Sequence, residues 1–164
     1  MNTRQGLLIA FATAVTATFF AVRPISGYAR ADNEFAIIVA KESSLDNFAL
    51  ADLKHVYQGV PMAGPGGKHL IPLNLPTNSP DRVAFDQTVL GMAPEKVSAY
   101  WIDKKIRGQP GAPKSIDTPE LLLRVVSRIE GSIGYVRANQ VSKDVKVVHI
   151  DGKVPGEAGY KVVF

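Results

Sequence analysis

Residues 34–40, Glu34-Phe35-Ala36-Ile37-Ile38-Val39-Ala40, run apolar without a break after the opening glutamate. A strand with one face in water would alternate apolar and polar residues. An unbroken run suits a strand covered on both faces, as in an α/β sheet. The polar break at residues 43–47 ends it. Residues 49–57 then bring Leu50, Leu53, Val56 and Tyr57 round at helical spacing, and Gly59 stops the helix. Residues 61–67 hold two Pro and three Gly and read as a loop. Leu70-Ile71-Pro72-Leu73 follows as a second short strand, which Pro72 places at an edge or irregular end.

The alternation of strand and helix continues on the C-terminal side. In Thr77-Asn78-Ser79-Pro80-Asp81, Ser79 is a good N-cap, Pro80 suits the first helical position, and Asp81 suits the positive end of the helix dipole. That helix carries Val83, Phe85, Val89 and Leu90 and ends at Gly91. A third begins near Pro94, with Val97, Tyr100 and Trp101 on one face, and ends by Gly108. Thr118-Pro119-Glu120 repeats the cap-then-proline start, and Leu121, Leu122, Val125, Val126 and Ile129 predict an apolar stripe closed by Gly131. Residues 132–136 and 145–150 read as strands, and residues 160–164 suit a further short one. The class is therefore α/β, a mixed sheet flanked by helices, with no internal repeat or linker.

The N-terminus has a different character. Residues 7–22 form sixteen positions without a charge, after Arg4 and before a short polar stretch ending Ala29-Arg30-Ala31. This is the order of a secretory signal: charged start, apolar middle, small residues at the cleavage site. Sixteen residues fall short of the ~20 that span a bilayer, so the expectation is a signal peptide over residues 1–31 and one domain over residues 32–164. No Cys follows the apolar stretch to take a lipid, and no stable membrane anchor is expected after cleavage.

That division changes the charge. The chain of 164 residues has 19 Lys+Arg against 15 Asp+Glu, a formal +4 that suggests a nucleic-acid partner. Arg4, Arg23 and Arg30 all lie in the signal, which has no acid, so sixteen bases face fifteen acids in residues 32–164. No basic footprint remains, and nucleic acid is set aside. Zero cysteines exclude disulfides, thiolate metal sites and cysteine nucleophiles. The histidines, His55, His69 and His149, stand apart, with no metal-ligand spacing. Gly64-Pro65-Gly66-Gly67-Lys68-His69 fails the phosphate-loop pattern at both ends and reads as a turn. Asp81 and Asp86 form a carboxylate pair of the kind helix surfaces often carry. No catalytic constellation, metal or cofactor motif is present, so an enzyme is not expected.

One feature points to a ligand. A polar loop runs through Asn78 and Ser79 into a helix whose first N–H groups are free, with Arg82 in the first turn. Such an arrangement suits an anion. The competing reading is that Ser79 only caps its own helix.

Taken in order, Ile37-Ile38-Val39-Ala40-Lys41, the helix with Leu53, Val56, Tyr57 and Gly59, Ile71-Pro72-Leu73, residues 79–85 (SPDRVAF), Tyr100-Trp101 and Gly131-Ser132-Ile133-Gly134-Tyr135-Val136 form a recognisable series. The series resembles one lobe of the phosphate-binding proteins of ABC transporters, within the type II periplasmic binding proteins, over residues 35–151. The resemblance implies a single-lobe fold, a periplasmic location, and phosphate or another small oxyanion held by Asn78, Ser79 and Arg82 in the service of transport. Two departures count against a full site. Pro80 and Asp81 stand where the family motif has glycine and threonine, which removes two donors and adds a negative charge. The length also matches one lobe, whereas the family closes two lobes over its ligand, so capture by burial would need two chains to pair. The alternative expectation is a structural or protein-interaction module of the cell envelope, with a partner protein or a homodimer.

Overall fold

The computed structural model describes residues 31–109 and 111–164. The expected signal peptide lies almost wholly outside them. In chain order the elements are β1 (Phe35–Ala40), β2 (Asn47–Phe48), α1 (Leu50–Tyr57), β3 (Ile71–Asn74), α2 (Pro80–Phe85), α3 (Pro94–Ile106), β4 (Lys114–Ser115), α4 (Pro119–Arg128), β5 (Ser132–Arg137), β6 (Val145–Val147) and β7 (His149–Ile150). The main sheet is mixed, in the order β4-β3-β5-β1-β6, and β2 pairs with β7 in a small second sheet. β3 runs parallel to both β4 and β5. β1 runs antiparallel to β5 and β6.

The apolar run is central, as its composition requires. Phe35, Ala36, Ile37 and Ile38 are fully buried, because helices cover both faces of β1. Burying each of the large side chains contributes about 1.5–3 kcal/mol. α4 covers one face, above β5 and β1. It comes so close at Gly134 that a Cβ there would stand 2.6 Å from Leu122 Cδ2 and 3.2 Å from Val126 Cγ2. On the other face α1 and the α2 arm enclose an aromatic cluster. Phe85 stacks on Tyr135 with ring centres 3.6 Å apart, and Tyr57 and Phe35 meet these rings edge-on.

Several local expectations change. α4 buries only Leu122 and Val126 fully, while Leu121 is 37% and Ile129 46% exposed. Val125 and Leu123 pack half-buried against the core, so the stripe lies closer to Leu122 and Val126 than expected and leaves out Leu121 and Ile129. The second helix is α-helical only to Phe85; a π-helical segment, Asp86–Leu90, carries it on to Gly91. Residues 145–150 divide at Val148, whose N–H bonds the Ile37 carbonyl at 2.8 Å, so β6 joins the main sheet and β7 the small one. Residues 160–164 supply a single bridge, Glu34 with Val163, and no strand. β3 is not at the edge, because β4 flanks it. β4 pairs only with Leu73 and Asn74, so Pro72 keeps a neighbour on one side alone. No described helix is long and apolar enough to cross a membrane.

Candidate anion-binding site

The chain leaves the carboxyl end of β3 at Asn74, turns through residues 75–78 and enters α2. The turn is fixed by the Ser79 N–H donating to the Pro76 carbonyl at 2.9 Å. Ser79 has extended dihedrals (φ −76°, ψ 139°), and its Oγ accepts from the Arg82 backbone N–H at 3.1 Å. Ser79 is thus the N-cap of α2. Its hydroxyl proton is still available to a ligand, because a serine oxygen accepts and donates independently. Asn78 is exposed beside it.

Arg82 points elsewhere. Its guanidinium is buried, donating from Nε to Asp86 Oδ2 at 2.5 Å and from Nη1 to the Leu75 carbonyl at 3.1 Å. The loop that carries Asn78 is therefore braced from below by Arg82. Behind this pair lie Asn74 and Tyr135, both buried; Asn74 Oδ1 accepts from the Tyr135 hydroxyl at 2.5 Å and from the Leu75 N–H at 3.0 Å. Burial pushes the Asp86 carboxyl upward, and Arg82 and then Asn74 pull it back. Burial likewise pushes the Tyr135 and Tyr57 hydroxyls well up, so both are neutral donors.

Asp81, the residue of unfavourable sign, is also paired. Arg137, the last residue of β5, reaches it with Nη2 at 2.6 Å and Nε at 3.0 Å, and that hydrogen bond raises the arginine's own pKa. Arg137 also lies over the Phe164 ring, 4.6 Å from its centre. The negative charge at the head of α2 is thus matched. Asp81, Arg82, Asp86 and Arg137 sum to zero.

The structure brings Asn78 and Ser79 together at an exposed helix head and spends the Arg82 guanidinium on interior partners. Donors left for an anion are the Ser79 hydroxyl, the Asn78 amide and the Asp81 backbone N–H. Pro80 has no N–H, and that of Arg82 goes to Ser79. The reading of Asp81 and Asp86 as a surface pair fails: Asp86 is 4% exposed, and each carboxylate serves a different arginine. The Arg82–Asp86 spacing of four residues was a signal for the first pair. Nothing local in sequence announces Arg137 or Tyr135, whose partners lie 56 and 61 residues away.

No protein-family profile matches the sequence, and no curated protein does. Solved structures do match in fold. A protein assigned as a phosphate ABC transporter substrate-binding protein, with bound phosphate, from Clostridium perfringens superposes with a TM-score of 0.61 at 20% identity, over 75% of this chain and 47% of that one. An ABC-type phosphate transport receptor from Vibrio cholerae gives 0.60 at 15% identity, over 75% and 48%. PstS from Borrelia burgdorferi gives 0.56 at 15% identity, over 75% and 49%. The chain spans about half the length of these proteins, and its fold is that of one lobe of a phosphate-binding protein.

Proposed function

We propose that this chain is an exported binding module of the phosphate-binding-protein type, not an enzyme. Its ligand class is phosphate or another small oxyanion, met at the head of α2 and linked to ABC-type transport. The observation that carries this reading is the position of Ser79 and Asn78: a half-buried serine and an exposed asparagine at a helix N-terminus, on the carboxyl edge of β3, in one lobe of a phosphate-binding fold. Arg82 is cast as the brace of the loop and not as a ligand. The signal over residues 1–31 would deliver the domain to the periplasm. With few donors and no net local charge, binding on this wall alone should be weak.

A thermal-shift panel of oxyanions at millimolar concentration tests this, because a ligand of the native state raises its stability. A shift with phosphate or a relative that Ser79→Ala reduces supports the reading. No shift across the panel removes it. A second reading, a protein-interaction module of the envelope, is favoured by one observation: both arginines near α2 are already paired with aspartates. It predicts a partner or homodimer and no oxyanion response.

A further inference from the structure

A groove of about 540 Å³ runs along the outer flank of α4. Its wall on α4 is Glu120, Leu123, Arg124, Ser127 and Arg128; opposite stand Lys41, just past β1, and Ser142 and Asp144, just before β6. It lies far from the head of α2. Lys41 follows Ala40, which pairs with Val145, and Val39 faces Ile133 at the amino end of β5. The α2 head is held at the other end of β5, by Arg137. The length of β5 therefore separates the two, about 17 Å.

The groove's cations are unspent. Among the described residues Lys41, Arg124 and Arg128 make no ion pair and no side-chain hydrogen bond, although the Glu120 and Asp144 carboxylates line the same groove. The contrast within helices is sharper. Arg82–Asp86 and Asp103–Arg107 both close at a spacing of four. Glu120 and Arg124 share that spacing and do not. The Ser127 hydroxyl donates to the Arg124 carbonyl at 2.9 Å. Ser142 Oγ accepts the Asp144 N–H at 3.4 Å, which leaves its own proton free to donate.

We propose that this groove is a second, separate anion site, for a small ligand bearing two or more acidic groups. One group would bridge Arg124 and Arg128, one turn apart on the same stripe, and another would meet Lys41 and the Ser142 hydroxyl. Two points on different chain segments call for two acidic groups, which a single monovalent anion does not supply. Glu120, at the far end of the stripe, and Asp144, two residues past Ser142, leave the three cations a net +1, so the ligand would sit on the Arg124–Arg128 and Lys41 side of the groove.

The test is a residue-resolved NMR titration of the full chain with pyrophosphate, with citrate and with acetate as the monovalent control. The expected result is saturable shifts at residues 124–128 and 142–144 with pyrophosphate, citrate or both, weaker at high salt. Which of the two acts identifies phosphate or carboxylate chemistry. Arg124→Gln with Arg128→Gln should weaken binding about fivefold or more, and Glu120→Gln should strengthen it. Ser79→Ala, which addresses the α2 head, should leave these shifts unchanged. If the double variant fails to fold, Lys41→Gln carries the same expectation. No saturable response, an equal response to acetate, or indifference to the groove substitutions overturns the proposal.

Discussion

Arg82 and Asp86 show how a residue read as a ligand becomes a structural one. Each side chain is 6% exposed, and they are joined at 2.5 Å. Breaking a buried pair from one side strands a charge, so Arg82→Gln should cost about 3–5 kcal/mol, read as a fall in the urea midpoint. Replacing both, Arg82→Met with Asp86→Leu, should recover most of that loss, because no charge is then left behind. Asp81 behaves differently. It is only partly covered and its partner Arg137 is 36% exposed, so Asp81→Thr should change stability by no more than about 1 kcal/mol. Its effect should fall on binding instead. The substitution releases the Arg137 guanidinium at the head of α2 and adds a hydroxyl. The phosphate-induced thermal shift should grow, and adding Arg137→Gln should cancel the gain. An unchanged shift in Asp81→Thr would mean that Arg137 does not reach the site. The sequence carried the capping role of Ser79, because capping is local chemistry. It misplaced the arginine, because which way a guanidinium turns depends on what the fold places beneath it.

At the scale of elements, the close approach of α4 to β5 rests on Gly134. A methyl group there would meet Leu122 at 2.6 Å, so Gly134→Ala should force α4 outward and destabilise by about 1–3 kcal/mol, measured by chemical denaturation. The corner joining β2 and β7 depends on charge. Asp46 is held below its ordinary 3.8 first by hydrogen bonding to Lys146, and Asp151 first by hydrogen bonding to Lys161 and then to the Leu50 N–H. A depressed folded pKa contributes stability that is present above 3.8 and lost as pH falls through the lowered value. Asp86 has the opposite sign: its folded pKa is raised, so its contribution to stability grows as pH falls through that value. Acid should therefore loosen the corner before the α2 region, and amide exchange at Leu50 and His149 should quicken first. The helices and the central strands were legible because caps, glycines and unbroken apolar runs are written locally. β4 was not, since Lys114-Ser115 is a strand only because Leu73 and Asn74 lie beside it. Nor was the division at Val148, where one residue's hydrogen bond to Ile37 sends its two neighbours to different sheets.

For the whole molecule, the proposed binding turns on how one wall could hold a small anion. This chain covers just under half of each structure it resembles, and Asn78 and Pro80 at the α2 head are exposed. Tight capture of a small ligand requires that most of its surface be enclosed. A single wall with three donor groups and no net local charge should bind phosphate in the millimolar range, about −4 kcal/mol. At a phosphate concentration ten times Kd the stabilisation would be about 1.4 kcal/mol, a thermal shift of a few degrees. If the wall acts alone, that shift should be the same at low and high protein concentration. Thermal unfolding across a wide range of protein concentration, with phosphate fixed, measures this directly. A shift that grows with protein concentration would show that a second copy closes over the anion. The site would then be the interface of a dimer, and the lobe would regain through association the enclosure that its own surface lacks.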